Sequence, residues 1–578
     1  MNLLDWLVLL GTSLAIIGSG LWLHRRQLNS PESFLRGNTN QGWLTVGLSV
    51  MATQASAITF LSVPGQAYED GMRFVQIYFG LPLAMVFISI VLVPAYFGAR
   101  VYTAYEWLEE RLGLGARVLG ASLFLFQRGL AAGMTLYAPA IVLTALLGWP
   151  LEATIWGVGG AVILYTVTGG ASMVAHTQKQ QMVVMLGGMA LCAVLIAHRL
   201  PADVSVSQAL HVSGALGRMQ PIRTEFNFHD RYNLWSGLIG GFFLSLSYFG
   251  TDQSQVARYL SARSVAQSRL GLMVNAVLKI PMQALILLVG VLVFSLHQFE
   301  TPPWHFNQGL VQRARGSAQA AAVADLDQRW QSLQQQKQRQ VRSFLKVQAT
   351  LPDSDPTLQQ ARQRLQGSQE QADSLRKEGK VLLKRAVVGA ETKDSDYIFL
   401  SFVQNHLPHG VIGLLVAVIL FAAMGSAAGE LSALGQTTAL DLWQRLGRPQ
   451  GTDQQKLRAA RICTAAWGGA VVVFASLASM LDNLIQAINI IGSLFYGVIL
   501  GIFLCALWLR QLGGRAVVLG ALLAQGSVIA LFFATDIGFL WYNLIGCALV
   551  VLLSALVRPW VGGSWRPPLV PTPIPSSL

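Results

Sequence analysis

Apolar residues recur along the chain in about thirteen long runs, which shorter polar stretches separate. An α-helix needs about 20 apolar residues to cross the hydrocarbon core of a bilayer, and each run is long enough to do so. The pattern therefore predicts an all-α polytopic membrane protein. The predicted spans are centred near Leu14, Ala55, Val86, Ala132, Val162, Met189, Leu244, Leu285, Val416, Val472, Ile499, Ile529 and Leu549.

One long stretch, residues 299–396, is polar and rich in Gln, Arg, Lys and Ala. Its apolar residues recur at helical spacing on both sides of the turn signal LPDSDP, which predicts two amphipathic helices folded back as an antiparallel hairpin. We expect an extracytoplasmic insertion between spans 1–298 and 397–560, with a short Pro-rich cytoplasmic tail at 561–578. The hairpin is interpreted as an added element with a solvated face, an oligomerisation or partner-binding surface, or a gate over the outer vestibule.

The second apolar run is interrupted by small and polar residues. It contains Gln54, Ser56 and Thr59 where a lipid-facing helix would carry Leu or Val, and Pro64–Gly65 follows. Polar groups at membrane depth face a protein interior or a water-filled path, and interrupted helices are tolerated where they line a cavity. This segment is therefore the first candidate for a binding site, with an unwound helix near its centre.

The composition supports a location in lipid. The chain is 53% hydrophobic and 12% charged, against about 25% charged residues in soluble proteins. The net charge of +13 would suggest nucleic acid in a soluble protein, but the basic residues cluster in every second predicted loop. That is the positive-inside pattern, so we expect no nucleic acid, an outer N-terminus, a cytoplasmic C-terminus and a place in the inner (plasma) membrane.

The sequence offers little for catalysis. It has no HExxH, no Gly-rich phosphate loop and no Cys/His cluster, and its four Cys residues fall in apolar runs. An enzyme is therefore not expected. A membrane sensor would need a cytoplasmic signalling domain, and it remains a distant alternative to a transporter.

Two cations stand in apolar surroundings. Arg128 lies within LFLFQRGLAAG, and a guanidinium presents a donor fork that suits a carboxylate. An intramembrane Arg is a functional candidate, although an internal partner such as Glu430 is the alternative. Lys279, on the eighth span, is expected to pair with Asp252 or Glu430.

Six motifs stand in order along the chain. They are MATQASAITFLSVPGQAY (51–68), YTAYEWLEERLG (102–113), LYAPAIVL (136–143), YTVTGGASMVAHTQKQQ (165–181), GTDQSQVARYLSA (250–262) and FAAMGSAAGELSAL (421–434). In the order and spacing of these motifs the chain resembles the sodium:solute symporters, and it is most similar to their branch of monocarboxylate, vitamin and iodide carriers. The resemblance implies thirteen helices around the 5+5 inverted-repeat core known from the leucine transporter.

The resemblance also implies a coupling-ion site for sodium. Its ligands would come from Ala52 and Ala55 on the first core helix and from Ala422, Gly425 and Ser426 on the eighth. Carbonyl and hydroxyl oxygens are suitable ligands for such a hard cation. The family commonly has two adjacent hydroxyl residues where this chain has Gly425–Ser426, so one side-chain ligand is missing.

A second departure concerns Gln178, which stands where the family usually has an Asp that in some members serves an additional sodium. We therefore expect one coupling sodium ion. Proton coupling and sodium-independent transport remain open.

Family substrates lie beside the breaks of the first and sixth core helices. We expect a symporter that imports a small organic solute, such as a monocarboxylate, by alternating access, as a monomer or loose oligomer. A sugar, an amino acid or another solute is the alternative, and Ser245 stands where the sugar-carrying branch tends to have Asn. The predicted substrate-binding residues are Gln54, Ser56, Thr59, Gln76, Tyr78, Arg128, Ser245, Tyr248, Phe249 and Asn489.

Overall fold

The structure is a computed structural model that describes residues 2–27, 40–352, 354–390, 392–447, 452–477, 484–509 and 511–561. Apart from Val561, the predicted Pro-rich tail lies outside these residues. The described chain is helical almost throughout, and one isolated bridge joins Gln41 to Ala262.

The chain up to the predicted insertion forms twelve α-helices. In chain order they are α1 (Leu3–Gln27), α2 (Trp43–Gln54), α3 (Ala57–Asp70), α4 (Leu81–Phe87), α5 (Val93–Ala99), α6 (Ala104–Leu112), α7 (Leu114–Leu147), α8 (Leu151–Arg199), α9 (Val206–Ala215), α10 (Gly241–Thr251), α11 (Gln253–Leu260) and α12 (Val265–Leu296). A 3₁₀ segment at Gly71–Tyr78 and π-helical turns at Ile88–Leu92 and Ser236–Gly240 connect some of them.

The rest of the described chain forms ten further α-helices. They are α13 (Gln308–Arg315), α14 (Ala320–Gln348), α15 (Pro356–Ala386), α16 (Ser395–His406), α17 (Val411–Thr437), α18 (Gln444–Gly447), α19 (Asp453–Leu477), α20 (Leu484–Trp508), α21 (Gly514–Ala534) and α22 (Trp541–Val561). A π-helical turn at Thr438–Trp443 follows α17.

Ten segments of the described residues are long and apolar enough to cross a membrane, against the thirteen spans predicted from the sequence. Interruptions account for part of the difference. The run centred near Leu244 is split into a π-helical turn and the 11-residue α10, and one apolar segment, Ala57–Ala99, combines α3 with the next predicted span. The spans centred near Val162 and Met189 are two apolar parts of the single 49-residue helix α8.

The predicted break in the first core helix is present near the centre of the apolar run, between Gln54 and Ala57. Helix α2 ends at Gln54, and α3 begins at Ala57. Pro64 and Gly65 lie inside α3 instead of at the break. A Cβ atom on Gly65 would lie 2.0 Å from the Ser395 carbonyl oxygen, so this glycine allows α16 to approach the helix closely.

The residues 299–396 contain the two helices of the hairpin, α14 and α15, in antiparallel contact. Asp355 caps α15 by accepting a hydrogen bond from the Thr357 amide at 2.7 Å, and Pro356 occupies the first helical position. The hairpin is in contact with the rest of the chain at several points. Near its turn, Val341, Phe344, Leu358 and Leu365 pack against Val212 and Ala215 of α9.

The base and the middle of the hairpin make further contacts. Trp304 and Leu310 pack with Leu326 and Leu383 at the base, and the Lys337 ammonium lies 5.9 Å from the ring centroid of Phe294 at the end of α12. The apolar residues at the base thus pack within the insertion, whereas the hairpin touches the core near its turn, at Phe294 and through Arg376, whose Nη2 atom lies 3.9 Å from Glu69 Oε1.

Candidate functional site

The two halves of the first core helix meet at an unwound pair of residues. Ala55 has φ −88° and ψ 73°, and Ser56 has φ −79° and ψ 173°, so both leave helical geometry. Across the break, the Thr59 hydroxyl donates to the Gln54 carbonyl oxygen at 3.4 Å. Carbonyl groups freed by such a break are available to bind a cation, as in other interrupted membrane helices.

Helix α17 brings the predicted hydroxyl ligand to this break. The Ser426 hydroxyl lies 3.4 Å from the Thr53 carbonyl oxygen, and the Ser426 side chain is buried. Ala52, Ala55 and Ala422 are buried as well. The elements predicted to hold sodium are therefore in contact through Ser426, next to Gly425.

Gln178 of α8 fills the neighbouring space. Its side-chain NH₂ group donates to the Gly425 carbonyl oxygen at 3.2 Å and to the Thr53 hydroxyl at 3.3 Å. Its oxygen accepts from the Ser49 hydroxyl at 3.1 Å. The amide nitrogen of Gln178 thus bonds to oxygen atoms of both α2 and α17. The expected single coupling ion stays a prediction.

Three predicted substrate-binding residues lie at the break. Ser56 and Thr59 are buried, Gln54 is half-buried, and Ser56 makes no side-chain capping bond. The Gln54 Oε1 atom is buried, and no hydrogen bond to it comes from the described residues. These polar atoms surround the unwound backbone.

The structure does not support Gln76 as a substrate ligand. It is fully buried, and its amide donates to the Tyr232 carbonyl oxygen at 3.0 Å while its oxygen accepts from the Arg223 amide at 3.0 Å. Backbone groups use both ends of this side chain, so Gln76 has a structural role.

Arg128 is held by an internal network instead of facing a free cavity. Its Nη2 atom donates to the Asp252 carboxylate and, at 2.7 Å, to the Tyr496 hydroxyl, while Nη1 lies 3.3 Å from Glu430 Oε1. The guanidinium also lies over the Tyr248 ring, 5.3 Å from its centroid. Two carboxylates already hold this cation, so the structure favours the internal alternative over direct substrate contact.

Lys279 is placed differently from the expectation. Arg128 holds both carboxylates that were predicted to pair with it, and Lys279 makes no ion pair with any described residue. Its ammonium lies 5.3 Å from the ring centroid of Tyr78, and the whole residue is buried. The sequence identified Lys279 as a cation in an apolar run. It could not show that Lys279 lacks an ion pair, because Arg128 pairs with both of the expected carboxylates in the fold.

The remaining predicted residues occupy two helices. Ser245, Tyr248 and Phe249 lie on α10, where the Tyr248 hydroxyl accepts from Gln255 Nε2 at 2.6 Å. Asn489 on α20 donates from its amide to the Ile485 carbonyl oxygen at 2.8 Å. Their part in substrate binding stays a prediction.

The family assignment follows from comparison with known sequences. A profile of the sodium:solute symporter family matches residues 34–323 and 377–524, which is most of the chain. The chain belongs to the sodium:solute symporter family. The match stops where α14 begins and resumes within α15, so most of the hairpin lies outside it. The sodium:solute symporters are transporters, which confirms the expectations of a multi-pass membrane protein that is not an enzyme.

Individual relatives match to different extents. The human sodium/iodide cotransporter is 31% identical over 262 residues, 45% of this chain and 40% of the relative. Sodium-coupled monocarboxylate transporter 1 of Xenopus laevis is 28% identical over 47% of this chain and 43% of the relative. The chain thus spans less than half the length of these two symporters. The sodium/sialic acid symporter NanT of Aliivibrio fischeri is 24% identical over 96% of this chain and 93% of its own.

A solved structure has the same fold. This symporter is similar to a Na⁺-coupled sialic acid symporter in a substrate-bound outward-open state, with a TM-score of 0.73 and 20% identity. The match covers 98% of this chain and 100% of the solved one. The predicted all-α, leucine-transporter-like fold is therefore confirmed.

Proposed function

We propose that the protein is a sodium-coupled symporter that imports a small organic anion by alternating access. The observation that carries the proposal is the buried Lys279, which lies against Tyr78 without a carboxylate partner among the described residues. An isolated buried ammonium costs free energy unless a counter-ion neutralises it. A substrate carboxylate bound beside Tyr78 would supply that counter-ion.

The names of the relatives support an anionic cargo. They are carriers of iodide, monocarboxylates and sialic acid, and these solutes share a negative charge at neutral pH. The same names support coupling to sodium. In this chain, the coupling ion would bind at the break of the first core helix, between the carbonyl oxygens near Ala55 and the Ser426 hydroxyl.

The mechanism requires binding energy and no covalent chemistry. Sodium at the break would fix the ends of α2 and α3 against α17 and so prepare the unwound backbone at Ser56. The anion would then bind between this backbone, Tyr78 and Lys279. Sodium would order the backbone that the anion contacts, and the anion would neutralise Lys279, so closure would be favoured when both are bound.

Uptake into proteoliposomes tests the proposal. Labelled pyruvate, sialic acid and a neutral hexose are offered with an inward sodium gradient, with equal choline and with an inward proton gradient. We expect sodium-driven uptake of at least one anion and none of the hexose. Uptake driven by protons but not by sodium would show that the coupling ion is a proton. Uptake of the hexose would contradict the proposal that the substrate is an anion.

Lys279→Gln tests the cationic residue separately. It should raise the apparent substrate constant about tenfold or more, which corresponds to one lost charged hydrogen bond of about 1.5–3 kcal/mol. The matched control is Lys346→Gln, which changes an exposed lysine on the hairpin. Normal substrate affinity in a folded Lys279→Gln protein would exclude Lys279 from the binding site.

A further inference from the structure

A second set of unpaired cations lies outside the membrane spans, between the hairpin and the core. A cavity of about 250 Å³ contains Arg218, from the loop after α9, and Lys337, from the middle of α14. Among the described residues, neither cation forms an ion pair. Both approach the same ring, with the Arg218 guanidinium 5.1 Å and the Lys337 ammonium 5.9 Å from the centroid of Phe294.

The charge of the cavity is unbalanced. Five cationic side chains line it, against the two carboxylates of Glu69 and Asp373. Two of these cations, Arg376 and Lys380, bind Asp394 at 2.9 and 2.8 Å. The charge of Asp373 acts on both Arg218 and Lys337. Together with Asp394, three carboxylates therefore face five cations. The lining therefore carries positive charge that its own acids do not compensate.

Burial makes this excess charge costly. The Lys337 side chain is 4% exposed, and its ammonium donates a single described hydrogen bond, to the neutral Gln369 oxygen. The Arg218 Nε atom is buried without an acceptor in the described chain. Burial lowers the pKa of Lys337 to about 7, and it also lowers the pKa of Arg218. Both cations would gain from an anion between them.

We propose that a small organic carboxylate binds in this cavity and bridges Arg218 of the core to Lys337 of the hairpin. The cavity is small, and Phe294, Trp330 and Tyr68 give it aromatic walls beside its cations. Small-molecule sites combine such an apolar lining with a few polar groups. A compact acid with an organic body fits this combination better than a bare inorganic ion does. The site is separate from the break of the first core helix.

The position of the cavity connects it to the transport core. Arg218 accepts a hydrogen bond at its carbonyl oxygen from the Met72 amide, at 2.9 Å, just after the end of α3. Gly71 has φ +74°, and a Cβ atom there would lie 2.5 Å from that same oxygen. A carboxylate that fixes Arg218 against Lys337 would therefore also hold the end of α3 against the hairpin.

Calorimetric titration of the full-length protein in detergent, without sodium, tests the proposal. The probes are succinate, acetate and inorganic phosphate, with neutral succinamide as the blank. We expect succinate to bind the native protein, Arg342→Gln and Lys279→Gln alike. Lys337→Gln and Arg218→Gln should each weaken binding about tenfold or more. Arg342 is an exposed arginine on the same helix as Lys337, which makes it the matched control.

Several outcomes would overturn the proposal. These are no succinate binding up to millimolar concentration, binding of phosphate alone, native affinity in both cavity variants, or loss of binding in Lys279→Gln. If a cavity variant fails to fold, tryptophan fluorescence provides a second test in proteins that keep both Arg218 and Lys337. Trp330 lines the cavity, and succinate should change tryptophan fluorescence in the native protein but not in Trp330→Phe. An identical response in both proteins would also contradict the site.

Discussion

Gly425 of α17 and Gln181 of α8 are so close that a methyl group on the Gly425 Cα atom would lie 2.3 Å from Gln181 Oε1. This contact explains why a side chain at position 425 is not accommodated beside Ser426. The departure from the two hydroxyl residues common in the family is therefore linked to a second residue, on another helix. Neither position can be interpreted alone.

Gly425→Ser should destabilise the protein, because the new side chain displaces a buried amide. Overpacking of this kind costs about 1–3 kcal/mol. In the double variant Gly425→Ser with Gln181→Ala, the clash is removed and a second hydroxyl faces the sodium site. We expect the melting temperature to recover and the sodium half-saturation of uptake to fall.

Gly526→Ser is the control for the serine itself, since a Cβ atom on Gly526 meets nothing within 4 Å. A single variant Gly425→Ser with the native melting temperature would show that Gln181 moves away without cost. If the double variant has the native sodium half-saturation of uptake, position 425 does not contribute to the ion site.

Arg128→Gln should destabilise the fold more than it changes solute affinity. Removing the guanidinium leaves Asp252 and Glu430 as buried carboxylates, and breaking a buried ion pair on one side costs about 3–5 kcal/mol. The addition of Glu430→Gln removes one of the two charges and should restore part of the melting temperature. The exposed Arg263→Gln is the control. A stable Arg128→Gln protein with a raised apparent substrate constant would instead indicate that Arg128 binds the substrate.

Gln178→Asp should make the fold more dependent on sodium. The amide donates to Gly425 and to Thr53, and a carboxylate can do neither, so two oxygen atoms lose their donor. A sodium ion beside the new charge would bind these oxygen atoms again. The increase in melting temperature on exchange of choline chloride for sodium chloride should be larger than in the native protein. The exposed Gln336→Asp should respond like the native protein, and an equal response in Gln178→Asp would contradict the interpretation.

Lys337 should give the fold a dependence on pH. Burial lowers its pKa to about 7 with help from Arg218, while Asp373 opposes the shift; His297 at the end of α12 is a further titratable neighbour. An unfolded lysine has a pKa of about 10.4, so the unfolded state binds more protons between these values. Stability from this group therefore rises with pH across that window.

Thermal unfolding from pH 7 to 9.5 measures this contribution as a difference between variants. The native protein and Lys346→Gln should share the upward trend, and Lys337→Gln should show less of it. Lys337 loses its proton as the pH rises above about 7, so succinate should bind more weakly there. Parallel curves for all three proteins would mean that Lys337 is charged at every pH tested.

Deletion of Gly316–Lys384 should destabilise the core. The sequence suggested an independent insertion, but Arg376 and Lys380 both bind the fully buried Asp394. Burial alone would raise the pKa of Asp394; Arg376, His305 and Lys380 outweigh it and hold that pKa well below its usual range. We expect a lower melting temperature after deletion, partly recovered by Asp394→Asn. Full stability of the deletion protein would show that water replaces the lost cations.

Composition and motif order were enough to predict the family and the helical fold. The break at Ala55–Ser56 was also predictable in kind, because small and polar residues interrupt an apolar run. The continuation of α3 through Pro64 was not predictable, since Pro64–Gly65 looked like part of the interruption. At Pro64, α3 packs closely against α12, and Gly290 allows this approach because a Cβ atom there would lie 2.2 Å from the Pro64 carbonyl oxygen.

The charged residues were harder to assign than the helices. Arg128 and Lys279 were both visible as cations in apolar runs, and Asp252 and Glu430 as the available acids. Which cation takes which acid depends on helix packing over more than one hundred residues of sequence separation. The contact between the hairpin and α9 could not be predicted from the sequence either. The apolar residues of the hairpin pack between its own two helices as well as against α9, and the same spacing fits both arrangements.

The orientation of the hairpin also affects how a solute reaches the protein. Between Arg313 and Arg385 the chain has fourteen lysine and arginine residues against seven acidic ones. On the outer face, where the sequence predicts the hairpin, this charge would be spread over the surface from which a solute approaches. A positive potential there concentrates anions and accelerates their encounter with the protein, and added salt screens the effect. The hairpin would thus favour anions kinetically, before any of them reaches the transport site.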